Sequence, residues 1–199
     1  MNRRRLWYKV TVRDRDGKVL SREEKKSRSF LGLWNKIIWT QIAGASFPAS
    51  LMVTDINGSS WPLGVGTSGY NFRMNAGAQN TNYGIVIGTD DTPVTVTDYR
   101  MGALIAQGFG AGQMDYMAQV INASVVADPN CDFLMSRQMA NNSGGLITVK
   151  ESGLYMMMER SLSPFWTAYG CVVRDVFTTP QDIPDGGGIT VEYTLRVTE

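Results

Sequence analysis

The residue types that most often perform catalysis are scarce in this chain. Its 199 residues include no histidine, which excludes the Ser-His and Cys-His nucleophile pairs, the HExxH zinc motif and any histidine general base. The two cysteines, Cys131 and Cys171, stand in apolar, strand-like contexts and form no recognisable zinc site. We expect them to be buried free thiols, with a disulfide between them as the alternative.

The other short patterns that resemble functional motifs are incomplete. The glycine-rich stretches at 64–69 and 108–113 lack the Lys-Ser/Thr ending of a phosphate loop. The D-x-D-G spacing at 14–17 resembles the start of a calcium loop, but the distal glutamate and the other oxygen ligands are not at the required positions. Lys150 and Glu151 are sequence neighbours, so in a strand they face opposite sides. We therefore expect no enzyme activity, no metal and no cofactor.

The charge of the chain is unevenly distributed. Residues 1–29 carry eleven Lys and Arg against four acidic residues, a net charge of +7, whereas the remainder carries eight against fourteen, a net charge of −6. Such a basic segment can bind nucleic acid, a membrane surface or the acidic face of a neighbouring copy. Because no window approaches the roughly 18 apolar residues of a membrane span, we expect no membrane partner.

Aromatic residues accompany this basic segment. Trp7, Tyr8 and Trp34 lie close to it in sequence, and proteins that bind single-stranded nucleic acid combine basic grooves with stacking aromatic rings. The same three residues also fit a strand and a helix face. Nucleic acid is therefore kept as the lesser alternative to a protein partner.

The first part of the chain predicts a hairpin and a helix. "LWYKVTV" favours a strand, and Asp16-Gly17 favours a tight hairpin turn, so residues 1–29 are interpreted as a basic N-terminal arm and hairpin. Residues 30–44 predict one amphipathic helix, with apolar residues at helical spacing. The apolar stripe is Phe30, Leu33, Trp34, Ile37, Ile38 and Ile42. This helix either seals one side of the core or binds a partner.

Residues 45–199 predict the body of a single mainly β domain. A long Gly-, Asn-, Ser- and Thr-rich loop occupies 57–82, and loops of that length are commonly functional or form assembly contacts. A short helical turn is expected at 97–108. Longer strands are expected at about 113–126, 131–139, 146–158, 167–178 and 188–197. Many strands separated by turns indicate an antiparallel β-sandwich or jelly-roll-like barrel.

Two details inside the body carry their own predictions. "NNSGG" at 141–145 is typical of a tight connection between two antiparallel strands. Gly153 interrupts the next strand, which favours a bulge or a close backbone approach. The methionines at 156–158, with Met135 and Met139, predict core packing or an adaptable subunit interface.

Several segments of the chain resemble a known class of protein. They are "VRDRDGKVL", "SRSFLGLWN", "YGIVIGTDDTPVTVTDYRMGALI", "SRQMANNSGGLITVKESGLYM" and "DIPDGGGITVEYTLRV". Together they resemble small β-sandwich structural proteins of tailed-bacteriophage virions. The resemblance implies a building block without an active centre, located in the virion, with copies of itself and other virion proteins as partners. It carries over no site residues.

The expected function is therefore assembly in many copies, as a capsid, neck or tail component, through the basic arm and the long loop. The residues predicted to contact other subunits are Arg3, Arg4, Arg5, Lys25, Lys26, Arg28, Trp39, Trp61, Tyr70 and Phe72. Trp39 is included because it lies off the apolar stripe of the helix. The alternative is a receptor- or carbohydrate-binding β-sandwich module that uses Trp61, Tyr70 and Phe72 as a stacking surface.

Overall fold

The computed structural model of the chain describes residues 3–27, 30–43, 52–63, 72–160 and 167–198. Their strands form antiparallel sheets in a sandwich-like arrangement, which confirms the predicted mainly β fold. The elements are β1 (Arg3–Arg13), β2 (Val19–Ser27), α1 (Gly32–Ala43), β3 (Val53–Thr54), β4 (Ser60–Trp61), β5 (Gly84–Gly88), β6 (Asp115–Tyr116), β7 (Val120–Ile121), β8 (Val125–Ala127), β9 (Asn130–Ala140), β10 (Ile147–Glu159), β11 (Thr167–Ile183) and β12 (Gly188–Thr198).

The larger of the two main sheets has the order β2-β1-β12-β9, and β6, β7 and β8 pair along the outer edge of β9. We call it the large sheet. The small sheet has the order β11-β10-β5, while β3 and β4 form a separate two-stranded sheet. Alternate residues of β1 and β12 are buried, as expected for strands with one face toward the core.

The predicted N-terminal hairpin is present. Gly17 adopts a φ of 80° in the turn between β1 and β2, a conformation that glycine reaches without steric cost. The turn is closed by the carboxylate of Asp14, whose Oδ1 accepts hydrogen bonds from the backbone N–H groups of Asp16 and Lys18 at 3.0 and 2.9 Å. Side chain and backbone therefore specify the same turn.

The small sheet is covered on both of its faces. Every residue of β10 from Glu151 to Glu159 is buried. The large sheet covers one face, where Tyr193 contacts Ser152, and the segment 89–107 covers the other, where it bonds to Glu151 and Tyr155. A Cβ added to Gly153 would lie 2.6 Å from the carbonyl oxygen of Val173 and 2.7 Å from Sδ of Met101. The close backbone approach predicted for Gly153 is therefore confirmed.

The segment 97–108 was predicted to contain a helical turn, and this prediction is wrong. Its backbone N–H groups donate to side chains of β10 in place of carbonyl groups one helical turn earlier. The N–H of Met101 donates to Oη of Tyr155 at 2.7 Å, and that of Ala103 donates to Oε1 of Glu151 at 2.9 Å. Tertiary hydrogen bonds thus replace the local helical ones.

The connection 141–145 is a tight turn, but it does not join two paired strands. It leads from β9 in the large sheet to β10 in the small sheet. The buried side chain of Asn141 directs it, since Nδ2 donates to the carbonyl oxygens of Gly145 and Ile183 at 2.8 Å each. The predicted strand at 113–126 likewise differs, because it is divided into β6, β7 and β8.

The methionines of 156–158, with Met135 and Met139, are buried in the core. Cys131 and Cys171 are free thiols, the first half-buried and the second buried. The helix begins at Gly32, two residues after the predicted start, and buries Leu33 and Ile37. The buried residues among these contribute to the packing of the core. Contacts with other subunits must therefore be made by other residues.

Candidate assembly surface

Arg3, Arg4 and Arg5 are the first residues of β1. Their backbone pairs with β12, with Arg3 opposite Thr198 and Arg5 opposite Arg196. The segment predicted as a basic arm therefore forms one end of the large sheet. Its part in contacts between subunits stays a prediction.

Lys25 and Lys26 lie on β2, where they line a cleft of about 590 Å³ between β2 and β11. Nζ of Lys26 lies 5.4 Å from the centroid of the Trp7 ring, and Nζ of Lys25 lies 3.4 Å from the carboxylate of Glu23. Nε1 of Trp7 is buried and has no hydrogen-bond partner within the described ranges. The cleft therefore places two ammonium groups beside the Trp7 ring, whose indole N–H is available to donate a hydrogen bond to a ligand.

Glu23 links strand β2 of the large sheet to strand β11 of the small sheet beside this cleft. Its carboxylate accepts hydrogen bonds from Oη of Tyr8 at 2.8 Å and from the backbone N–H groups of Thr178 and Thr179 at 3.2 and 3.4 Å. Burial alone would raise the pKa of Glu23, but these hydrogen bonds and the charge of Lys25 outweigh it and lower the pKa. A charge that points inward on an edge strand discourages pairing with another sheet.

The predicted aromatic contacts have different environments. Trp39 is 45% exposed on α1. Trp61 donates from Nε1 to Oδ2 of Asp55 at 2.9 Å, and the guanidinium of Arg160 lies 3.5 Å from its ring centroid. Phe72 packs edge-on against Trp34 at a centroid distance of 5.6 Å.

Trp61 and Phe72 therefore make contacts within the chain, and Trp39 is partly exposed at the surface. Arg28 and Tyr70, which were also predicted to contact other subunits, lie outside the described residues.

The opposite edge of the large sheet carries exposed apolar side chains that are not among the predicted contact residues. Val120 is 55% exposed, Ile121 43%, Val125 63% and Val126 79%. The surrounding residues 116–127, "YMAQVINASVVA", contain no charged side chain. A long uncharged run of β-forming residues was the available signal, because edge strands that face water usually carry charges.

The strands β6, β7 and β8 are pieces of one irregular edge strand. Ile121 and Val125 are four residues apart, whereas their partners on β9, Met135 and Asp132, are three residues apart. The same offset occurs between β6 and β7. Bulges of one residue interrupt the row of backbone groups along an edge. A partner at this edge would therefore contact its apolar side chains, because the edge lacks a continuous row of backbone groups for strand pairing.

The hairpin of β8 and β9, residues 125–132, has exposed apolar residues on both faces. Val125 lies opposite Asp132, and Val126 lies opposite Cys131. Adjacent residues of a strand point to opposite sides, and both valines are mostly exposed. Neither face of β8 is therefore covered by the described residues.

A pocket of about 210 Å³ lies next to this hairpin, between the large sheet and the start of α1. We call it the apolar pocket. It is lined by Leu6, Phe30, Trp34, Phe72, Met74, Ile121, Phe133, Met135, Leu154 and Leu195. With an apolar lining throughout, the pocket is suited to take up hydrophobic side chains.

Two arginines of the interior, Arg174 and Arg137, are each held by several hydrogen bonds. Arg174 donates from Nε to Glu151 at 2.6 Å, from Nη1 to Asp98 at 2.9 Å and from Nη2 to Asp90 at 2.8 Å. The hydrogen bonds to Asp98 and Asp90 fix the segment 89–107 onto the small sheet. The carboxylates around Arg174 raise its pKa even though burial opposes them, so the guanidinium stays charged.

Arg137 is 1% exposed and bonds to backbone carbonyl groups. Its guanidinium donates to the carbonyl oxygens of Met117, Ile85, Gly77 and Asn80 at 2.7–3.0 Å. Burial lowers the pKa of Arg137 to about 10, which still leaves it charged at neutral pH. Arg137 therefore ties β5 and the segment before it to the large sheet.

Among the described residues, no group of three or more His, Cys, Asp or Glu side chains is arranged to hold a metal ion. Within the same ranges, no helix is long and apolar enough to span a bilayer. In comparisons with protein-family models, curated proteins and solved structures, nothing matches the chain. The strongest candidate surface is therefore the exposed apolar edge of the large sheet together with the adjoining apolar pocket.

Proposed function

We propose that this chain is a non-enzymatic structural protein that assembles in multiple copies, as a capsid, neck or tail component of a tailed-phage virion. The observation that carries the assembly is the uncharged apolar surface at Val120, Ile121, Val125 and Val126. The attribution to a virion is supported by the resemblance of the sequence segments given above.

The exposed edge supports assembly for a physical reason. Soluble monomers rarely leave contiguous apolar patches open to water, and larger patches commonly mark contacts with other proteins. The two edges of the large sheet also differ: β2 carries Arg22, Glu23, Glu24, Lys25 and Lys26, whereas residues 116–127 carry no charge. One edge is thus protected from association and the other is suited to it.

The basic end of the chain provides a second kind of contact in this proposal. Arg3, Arg4 and Arg5, with Lys25 and Lys26, face acidic surfaces of a neighbouring copy or of another virion protein. Charged contacts of this kind weaken as salt is added. Apolar contacts are not screened by salt, so the two kinds of contact can be separated experimentally.

The test is the mass of the purified protein, measured by light scattering over a range of concentrations at low and at high ionic strength. We expect masses above the 22.0 kDa of the single chain that rise with concentration and persist at high salt. Assembly that dissolves at high salt would assign the contact to the basic residues. A 22.0 kDa species under all conditions would contradict self-assembly.

The alternative function, a receptor- or carbohydrate-binding module, is favoured by the cleft between β2 and β11. There the Trp7 ring and its buried Nε1 lie beside Lys25 and Lys26. Calorimetric titration with neutral and sulfated oligosaccharides tests it. Binding that is lost in Trp7→Ala and kept in Trp39→Ala would support the module, and the absence of heat with every oligosaccharide would contradict it.

A further inference from the structure

Two apolar features lie at the same end of the molecule. One is the β8–β9 hairpin, whose Val125 and Val126 are 63% and 79% exposed. The other is the apolar pocket of about 210 Å³. An apolar cavity of about 150 Å³ is already large enough to take up benzene. The pocket therefore has room for at least one aliphatic side chain, and the hairpin offers side chains of that kind.

The hairpin does not fill the pocket of its own chain. Val126 lies opposite Cys131, which precedes the pocket residue Phe133 by two positions on the same face of β9. Two positions along a strand correspond to about 7 Å. The ladder thus holds Val126 beside the pocket, where the side chain stays mostly exposed.

A second copy of the chain fits both features. Residues 116–127, which include Val125 and Val126, carry no charged side chain, and the pocket is lined by apolar side chains alone. The two carboxylates of the hairpin follow Val126 in sequence, Asp128 in the turn and Asp132 in an ion pair with Arg196. Inserting the Val126 side chain into the pocket therefore places no charged group inside it, where an unpaired charge would be destabilising. The bulges along this edge interrupt strand pairing, so side-chain insertion is favoured over extension of the sheet.

We infer that the β8–β9 hairpin of one copy inserts into the apolar pocket of a second copy, with Val126 as the leading side chain. The inference rests on the proposed function, because it takes the chain to assemble with itself. In this contact the hairpin is the inserted element and the apolar pocket receives it. When the contact is reciprocal, two copies form a closed pair.

Two charge substitutions test the hairpin and the pocket separately. Val126→Lys places an ammonium group on the hairpin and leaves the pocket intact. Ile121→Lys places one at the rim of the pocket, where Ile121 is 43% exposed, and leaves Val126 intact. Leu20→Lys on β2 is the matched control, since Leu20 is 48% exposed on the charged edge.

Equilibrium sedimentation of each variant gives the dissociation constant. We expect Val126→Lys and Ile121→Lys each to raise it at least about tenfold, and Leu20→Lys to leave it unchanged. Each variant alone has no intact contact, because either every hairpin or every pocket carries the charge. A mixture of the two has one intact contact per pair, so we expect the mixture to regain association.

The other outcomes overturn the inference. Unchanged association of both variants would exclude the hairpin and the pocket while leaving the proposed function in place. Weak association without recovery in the mixture would show that the surfaces pack like against like, without insertion. An unaltered protein that stays monomeric would contradict both the inference and self-assembly.

The folding of the variants is checked separately. Each variant is compared with the unaltered protein by circular dichroism and thermal unfolding. Val126→Ala and Ile121→Ala, which introduce no charge, repeat the measurement if a lysine variant fails to fold. The expected result is a smaller rise in the dissociation constant for both, and no rise in either would overturn the inference.

Discussion

The hydroxyl oxygens of Ser152 on β10 and Tyr193 on β12 lie 2.8 Å apart and join the small sheet to the large sheet through the core. Oη of Tyr193 also donates to Oδ2 of Asp175 at 3.3 Å. Burial and the charge of Asp175 raise the pKa of Tyr193 well above its ordinary value, so it remains a neutral donor. All three side chains are buried, and their hydrogen bonds fix the two sheets relative to each other.

Replacing Tyr193 by phenylalanine tests this link. We expect Tyr193→Phe to lower the free energy of unfolding by about 1–3 kcal/mol, because buried polar groups lose a partner. The double variant Tyr193→Phe with Ser152→Ala should cost less than the sum of the single variants, since both remove the same interaction. Urea denaturation measures all three, and additive losses would show that the two hydroxyl groups act independently.

Removing Arg174 should be among the most damaging substitutions in the interior. Arg174→Met leaves the buried Glu151 without its cation, and we expect a loss of about 3–5 kcal/mol in the free energy of unfolding. Lys150→Met on the neighbouring strand β10 is the matched control, because it breaks an exposed ion pair with Asp91, and exposed pairs of this kind contribute little to stability. Urea denaturation compares them, and equal losses would contradict the structural role of Arg174.

The stability of the protein should depend on pH through Glu23. Its pKa in the folded protein is lowered from the ordinary value of 4.5, so the folded state favours the ionised carboxylate. The resulting stability is fully present above pH 4.5 and is lost as the pH falls through the lowered folded-state value. We therefore expect Glu23→Gln to show a shallower loss of stability below pH 4.5.

The measurement for Glu23 is the urea midpoint as a function of pH. Glu24→Gln is the control, because neighbouring residues of β2 face opposite sides of the sheet. The pH profile of Glu24→Gln should follow that of the unaltered protein. Parallel profiles for Glu23→Gln and the unaltered protein would contradict the prediction.

Gly153 should not tolerate a methyl group. The Cβ of Gly153→Ala would lie 2.6 Å from a backbone oxygen, and overpacking of this kind costs about 1–3 kcal/mol. Gly145→Ala is the control, because nothing lies within 4 Å of its Cβ position. Thermal unfolding should show a drop in Tm of about 2–4 °C per kcal/mol for Gly153→Ala alone. Equal Tm values for Gly153→Ala and Gly145→Ala would contradict the prediction, because they would show that the backbone around residue 153 moves aside without loss of stability.

The sequence was sufficient for the elements whose causes are local. The Asp16-Gly17 turn, the long strands and the close approach at Gly153 all follow from residue preferences within a few positions. The pairing of the strands did not follow, because a turn such as 141–145 has the same composition whether it joins paired strands or passes between two sheets. The segment 97–108 was misassigned because its hydrogen-bond partners lie about 50 residues away in sequence.

The candidate surface was missed for a related reason. Apolar residues at 120–126 predict a core strand as readily as an exposed edge, and the order of strands shows that they lie at an edge. The buried roles of Arg137 and Arg174 were equally invisible, since an arginine within a strand ordinarily indicates a face in water. Their partners come from segments that a local pattern does not connect to them.

The position of β12 has a consequence for synthesis of the protein. This strand lies between β1 and β9 in the large sheet, yet it is the last of the described strands to leave the ribosome. Until then β1 and β9 each lack one neighbour, and contacts between strands so distant in sequence form slowly. The large sheet is therefore completed only once β12 has left the ribosome, and until then the edges of β1 and β9 remain open to pairing with other strands.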